Sequence, residues 1–234
     1  MRVLALETST EYCSVALWQD GAIIERCELV GQKHSELLMP MIAALLKDAG
    51  NRIRDAGYRI QDMDGIAFGM GPGSFTGVRI ACGVAQGLAL GANLPVVGVC
   101  TLEALAEASG HDKVIAVLDA RMSEIYHAAY ERQGDGWIAA SEPSLCKPAD
   151  APVVAGYGWF AAGSGFSVNS EALQARYAGQ LQGVDGTVVP QAAAIATLGA
   201  RRLARGEGMD AAQALPLYLR DKVAQTTAER LCAK

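Results

Sequence analysis

The chain opens on a buried-type apolar run over residues 2–8, followed after a short polar link by a second run over 13–19. Asp20 and Gly21 make a tight hairpin turn into a third strand over 22–29. Apolar residues then fall at Leu37, Leu38, Met41, Ile42, Leu45 and Leu46, the spacing of a helix, with Gly50 as a natural stop. Pro40 sits inside that pattern, so the helix either starts late or is kinked there. Residues 65–70 read as a strand, 75–91 as a helix and 95–99 as a strand. The order βββαβαβ implies a mixed sheet with helices packed on it.

The second half begins in the same way. Strands are predicted over 113–121, 123–131 and 136–143, with Gly134-Asp135-Gly136 as a turn. Strand-like 152–158 and 186–190 then alternate with helical 167–179 and 190–206. Two halves that each open on three strands point to a duplicated α/β fold, with the joint near residues 101–112. The expected organisation is a first lobe over 1–104, a reduced second lobe over 105–210, and a tail over 211–234 returning to the first lobe.

Composition narrows the function classes. Of 234 residues, 51% are hydrophobic and 19% charged, which excludes a disordered chain. The net charge is -5, and no basic block stands out beyond Arg201, Arg202 and Arg205. That argues against gripping nucleic acid directly, though not against membership of a complex that does. Six scattered cysteines without a CxxC suit reduced, buried thiols and a cytoplasmic chain. The first residues are too short an apolar run for a signal segment. Gln86, Asn93 and Pro95 interrupt residues 80–100, so no membrane span is expected.

The stretch 69–80, Gly-Met-Gly-Pro-Gly-Ser-Phe-Thr-Gly-Val-Arg-Ile, is the strongest candidate for chemistry. Gly69, Gly71, Gly73 and Gly77 supply permissive backbone, Pro72 stiffens the turn, and Ser74 or Thr76 can cap the following helix. Such a helix start suits an anion, yet neither a Walker loop nor GxGxxG is present, and a tight strand-to-helix turn explains the residues as well. Within the helix, Gly83, Gly87 and Gly91 recur every fourth residue, as do Ala81, Ala85 and Ala89. A helical glycine costs about 1 kcal/mol against alanine, so close approach of another element, the chain's own sheet or a partner's helix, is expected in return. Thr8, Ser9 and Thr10, beside Glu7, form a turn able to wrap a phosphate, or simply a polar turn satisfied by its own hydroxyls. With Gly71, Gly73 and Ser74 they are the candidate nucleotide contacts. His34, His111 and His127 have no second ligand at metal spacing, so no metal site is expected. Asp119, Arg121 and Glu124 make a compact charged turn, read as a small-ligand site or a structural ion pair. No G-x-S-x-G elbow supports a catalytic serine.

Taken together, LALETSTEYCSVAL, KHSELLMPMI, GPGSFTGVRIACGVAQGLALG, PVVGVCTLEALA, DARMSEIYHAAY and PLYLRDKVA resemble the TsaB (YeaZ) family of bacterial tRNA threonylcarbamoyladenosine biosynthesis proteins. The resemblance runs from first strand to tail, is weakest over 132–212, and is most specific at GPGSFTGVRI. It implies two actin-like (Hsp70/hexokinase-type) lobes, each a mixed β-sheet with packed helices. It also implies a non-catalytic, cytoplasmic subunit that binds and stabilises the paralogous transferase TsaD, which acts on adenosine 37 of tRNAs, in an assembly with the small ATPase TsaE. ATP and a metal ion are then expected on those partners and none on this chain, with tRNA met only through the complex and a homodimer formed in isolation. Thr101 and Leu105 stand where the catalytic paralogue carries two metal-binding histidines. The family's partner face corresponds to His34, Leu37, Leu38, Met41 and Leu45 of the first helix and Val78, Arg79, Cys82, Ala85 and Gln86 of the glycine-rich one. The competing reading is an actin-like phosphotransferase or ATPase using residues 7–10 and the 69–77 loop.

Overall fold

The computed structural model describes residues 1–51 and 57–220. Strands β1 (Arg2–Glu7), β2 (Tyr12–Gln19) and β3 (Ala22–Leu29) form an antiparallel meander, as the hairpin turn at Asp20-Gly21 requires. Helix α1 (His34–Asn51) starts at its first candidate residue and carries Pro40 inside it. Strand β4 (Gly65–Gly71) lies parallel to β1, helix α2 (Phe75–Ala92) crosses over, and β5 (Val96–Cys100) joins parallel to β4. The sheet order is β3-β2-β1-β4-β5. The first lobe's larger core packs α1 and α2 on one face of that sheet through Leu38, Leu45, Ala81, Ala85 and Ala89 against Leu4, Leu6, Val15 and Phe68.

The second lobe repeats the pattern. After α3 (Thr101–Ser109), strands β6 (Lys113–Arg121), β7 (Glu124–Gln133) and β8 (Gly136–Cys146) form a second meander. Strands β9 (Trp159–Ala162) and β10 (Leu181–Asp185) then add in parallel, with α4 (Ser164–Val168) and α5 (Ser170–Arg176) between them. The order β10-β9-β6-β7-β8 mirrors the first sheet. The fold is α/β with two mixed sheets, as the repeated strand pattern implies. The strands expected over 152–158 and 186–190 are not there. They belong instead to the flanking residues of β9 and β10, which at four and five residues are too short to outweigh nearby valines.

The lobes are not contiguous halves of the chain. Helix α6 (Ala192–Ala204) packs on the first sheet, its Ile195, Leu198 and Ala196 meeting Val3, Ala5, Ala67 and Val97. Conversely, Leu102 and Leu105 of α3 pack with Val114, Ala116 and Ala128 of the second. The sequence boundary at 104/105 therefore cuts α3 in two, and the span 105–210 includes a helix of the first core. In the segment expected as a tail, Ala214 and Leu217 touch the first lobe and Arg220 the second, Met209 bridging Val96 just before them; residues 221–234, with Cys232, lie outside the described residues.

One buried polar pair in the second core responds to pH. His127 is fully buried, and its Nε2 lies 2.7 Å from the Tyr177 hydroxyl, which also reaches the Pro152 carbonyl at 2.9 Å. Burial, with Arg176 nearby, pushes the imidazole down to about 4 from 6.5. Between those values the unfolded chain binds the proton and the folded chain does not, so this group's stabilisation falls as the pH drops through that window. Replacing His127→Phe should raise stability relative to the parent by about 2 kcal/mol on going from pH 7 to pH 5, as measured by urea unfolding at both pH values.

Candidate functional site

A cleft of about 970 Å³ separates the lobes. The first lobe contributes the β1–β2 turn, with Ser9 and Thr10, and the start of α2. The second contributes the end of β6, the β6–β7 turn and Ser164 at the start of α4. Ser74 caps α2, its Oγ accepting from the Gly77 N–H at 3.3 Å, so the capping residue is Ser74 and not Thr76.

The glycine loop and the first turn are pressed together. The Ser74 N–H donates to the Ser9 carbonyl at 2.7 Å, and the Thr8 hydroxyl donates to the Gly77 carbonyl at 2.7 Å. A Cβ on Gly73 would lie 2.6 Å from the Ser9 side chain, and one on Gly77 would overlap the Thr8 carbonyl. A Cβ on Gly69 would overlap the Glu7 carboxylate. Gly71 holds φ at +104° with the Leu217 carbonyl close by. These glycines admit the chain's own first turn at the place where a phosphate loop admits a ligand. Thr8 and Ser9 are accordingly buried, and Thr10 is half-buried with its hydroxyl accepting from the Tyr12 N–H.

Glu7, at the end of β1, is fully buried; its Oε1 accepts from the Ser9 N–H, while Oε2 has no partner among the described residues. Burial pushes this carboxyl up to about 7, against the lowering pull of Ser9 and Thr8. The guanidinium groups at the cleft are all engaged. Arg121 reaches Asp119 at 3.3 Å and Glu11 at 3.5 Å, and Arg220 reaches Glu124 at 2.6 Å. Arg79 donates to the Tyr218 hydroxyl at 2.7 Å and lies 3.4 Å from the centre of the Phe75 ring. Thus Asp119 and Arg121 pair with each other while Glu124 pairs with Arg220, and the pair that reaches from one cleft wall to the other is Arg121 with Glu11.

The proposed partner-face residues fall elsewhere. Leu38, Met41, Leu45, Val78, Cys82 and Ala85 are buried in the first lobe's own core, and His34 is buried with Nε2 3.2 Å from the Tyr12 carbonyl. Leu37 and Gln86 are half-buried, Gln86 donating to the Ala214 carbonyl, and Arg79 alone of the ten is exposed. The apolar stripe of an amphipathic helix is the one its own sheet covers. The positions that α1 and α2 leave uncovered include Met39, Ala43 and Lys47 on one and Thr76, Gly83, Gly87, Leu90 and Gly91 on the other. The two stripes of α2 separate cleanly. Ala81, Ala85 and Ala89 are fully buried, whereas a Cβ on Gly83, Gly87 or Gly91 would meet nothing within 4 Å among the described residues. Helix α2 is long and apolar enough to cross a membrane, yet its alanine stripe seats it on the sheet and only 33% of it is buried.

Thr101 and Leu105 share a face at the start of α3, both fully buried, with the Thr101 hydroxyl unpartnered among the described residues. Among the described residues no three His, Cys, Asp or Glu side chains converge as metal ligands would. Cys27 is exposed, unlike the buried Cys13 and Cys82.

A family model described as "TsaD: tRNA N6-adenosine threonylcarbamoyltransferase" matches residues 26–228. The tRNA threonylcarbamoyladenosine biosynthesis protein TsaB of Escherichia coli is 36% identical over 236 residues, covering 96% of each chain. This chain belongs to the TsaB family. The Haemophilus influenzae member is 34% identical over 95% of each chain. The solved structure of YeaZ from Pseudomonas aeruginosa superimposes with a TM-score of 0.84 at 38% identity, over 93% of this chain and 99% of that one.

Two substitutions test the roles assigned to the glycines. Gly77→Ala should destabilise the fold by more than about 2 kcal/mol, because the new methyl displaces the Thr8 carbonyl, while Gly83→Ala should stabilise it by up to about 1 kcal/mol; thermal unfolding of both checks the contrast. Glu7 supplies a third test. Its raised carboxyl stabilises the fold fully below about 4.5 and loses that contribution as the pH rises through 7, the reverse of His127. The two nearly offset each other between pH 5 and pH 7. Glu7→Gln should therefore unmask an acid-side loss of about 2 kcal/mol from pH 7 to pH 5 in the same urea measurement.

Proposed function

We propose that this chain is the non-catalytic subunit of a cytoplasmic complex that forms threonylcarbamoyladenosine on tRNA, where it binds and stabilises the paralogous transferase TsaD. The observation that carries this reading is the bare glycine stripe of α2: three helical glycines with open space around them, which no contact among the described residues explains. Such a surface lets a partner's helix approach to backbone distance, and Met39 and Leu90 offer exposed apolar area beside it. In isolation the same surface serves a second copy of the chain. TsaE joins the assembly through TsaD, and the acidic chain meets tRNA only through the complex.

Three features support a role without catalysis. The glycine loop receives the chain's own turn, the cleft guanidiniums are committed to carboxylates and aromatic rings, and Thr101 and Leu105 offer no imidazole for a metal. ATP and the metal ion then belong to the partner subunits.

The test is native mass spectrometry of the chain with TsaD and ATP. A one-to-one complex is expected, and Gly87→Leu, which meets nothing among the described residues, should weaken it by at least tenfold without lowering the thermal transition. Equal binding by parent and variant would remove α2 from the interface. Sustained ATP hydrolysis by the isolated chain, abolished by Glu7→Gln, would replace the whole reading with that of an actin-like ATPase.

A further inference from the structure

Beyond the short turn at Ala211–Gln213, residues 214–220 run across the mouth of the cleft outside any helix or strand, touching one lobe and then the other. Their first holds are on the first lobe. The Ala214 carbonyl accepts from Gln86 at 3.0 Å and from the Cys82 thiol at 3.5 Å. The Leu217 N–H donates to the Met70 carbonyl at 2.7 Å, and the Tyr218 ring stands 6.1 Å from that of Phe75, its hydroxyl held by Arg79. The last hold among the described residues is on the second lobe. Arg220 pairs with Glu124 at 2.6 Å, donates to the Ala120 carbonyl at 3.0 Å and reaches the Met122 sulfur at 3.5 Å.

What Arg220 grips is a stressed element. Arg121, Met122 and Ser123 all sit in the left-handed region, at φ of 62°, 56° and 59°, where side chains are disfavoured. From within, that turn is held by the Asp119 carboxylate on the Arg121 N–H at 3.0 Å. The other side-chain bridge over the cleft, Arg121 to Glu11, is 3.5 Å long and mostly exposed, and so contributes little. Arg220 and Glu124 are only 16% and 29% exposed. A pair this sheltered is the stronger of the two closures.

We propose that residues 214–220 form a releasable latch, fixed on the first lobe, whose Arg220 clips the β6–β7 turn and sets the width of the cleft; when the clip lets go, the cleft opens. The latch does not depend on pairing through α2. It is built from one chain and acts in the isolated protein.

Hydrogen exchange followed by mass spectrometry on the full chain tests it. Arg220→Ala should raise exchange roughly tenfold in peptides covering 119–124 and also in those covering 8–12. The second region is the informative one, since Arg220 makes no hydrogen bond to it and it responds only if the cleft opens. Peptides inside β1 and β6 should keep their parental rates. Glu124→Gln, which leaves the Ala120 bond intact, should give a smaller rise in the same two regions. Parental exchange over 8–12 in both variants would overturn the latch, and so would an even rise across both sheets, which would make Arg220 a general support of the fold. If Arg220→Ala does not fold, Glu124→Gln decides between these patterns alone.

Discussion

The first turn of the chain can rest against the start of α2 only because residues 69, 73 and 77 carry no side chains. That contact fixes much else. The Thr8 hydroxyl on the Gly77 carbonyl and the Ser74 N–H on the Ser9 carbonyl lock the first turn of α2 to the end of β1, and so set the helix's rotation about its own axis. With the rotation set, the alanines at 81, 85 and 89 face the sheet and the glycines at 83, 87 and 91 face outward. The same rotation aims Arg79 and Phe75 at the cleft mouth, where Tyr218 meets them.

Much of this was legible in the sequence. Apolar runs separated by polar links and turn residues marked both meanders, and the repeat of three leading strands implied a duplicated sheet. The glycine and alanine stripes of α2 were visible too, but spacing alone does not say which stripe meets the sheet. Methyl groups at 81, 85 and 89 fill space that hydrogen atoms at 83, 87 and 91 would leave empty, so packing decides what periodicity leaves open. For the same reason Leu38, Met41 and Leu45 went to the core and not to a surface. The role of Glu7 was hidden because it rests on Gly69, 62 positions away in the chain. The hold of Arg220 on a turn a hundred residues earlier left no trace in local pattern.

The exchange of helices binds the two lobes into one body. Glu107 on α3 receives Arg132 from β7 at 3.2 Å, Arg201 from α6 at 3.3 Å and the indole N–H of Trp137 from β8 at 2.8 Å. Glu103 pairs with Arg202, whose other nitrogen donates to the Gly98 carbonyl at 2.6 Å. These groups are largely sheltered, so each charge keeps its partners in a setting where losing one would be costly. The network stiffens the side of the molecule where the lobes share helices, and the cleft mouth lies on the side where, among the described residues, the 214–220 strap and the exposed Arg121–Glu11 pair join them.

The placement of α6 also bears on how the chain is made. Ser14 on β2 accepts from the Ala192 N–H across a separation of 178 residues, and β1 stays uncovered on one face until α6 arrives. During synthesis the first sheet must therefore wait, with Val3, Ala5 and Val97 open to solvent, until nearly the whole second lobe has left the ribosome. Contacts this distant close slowly, and a half-built sheet with a bare apolar face is the species prone to aggregate. Anything that binds that face transiently in a nascent chain would protect it over the interval in which it has no helix of its own.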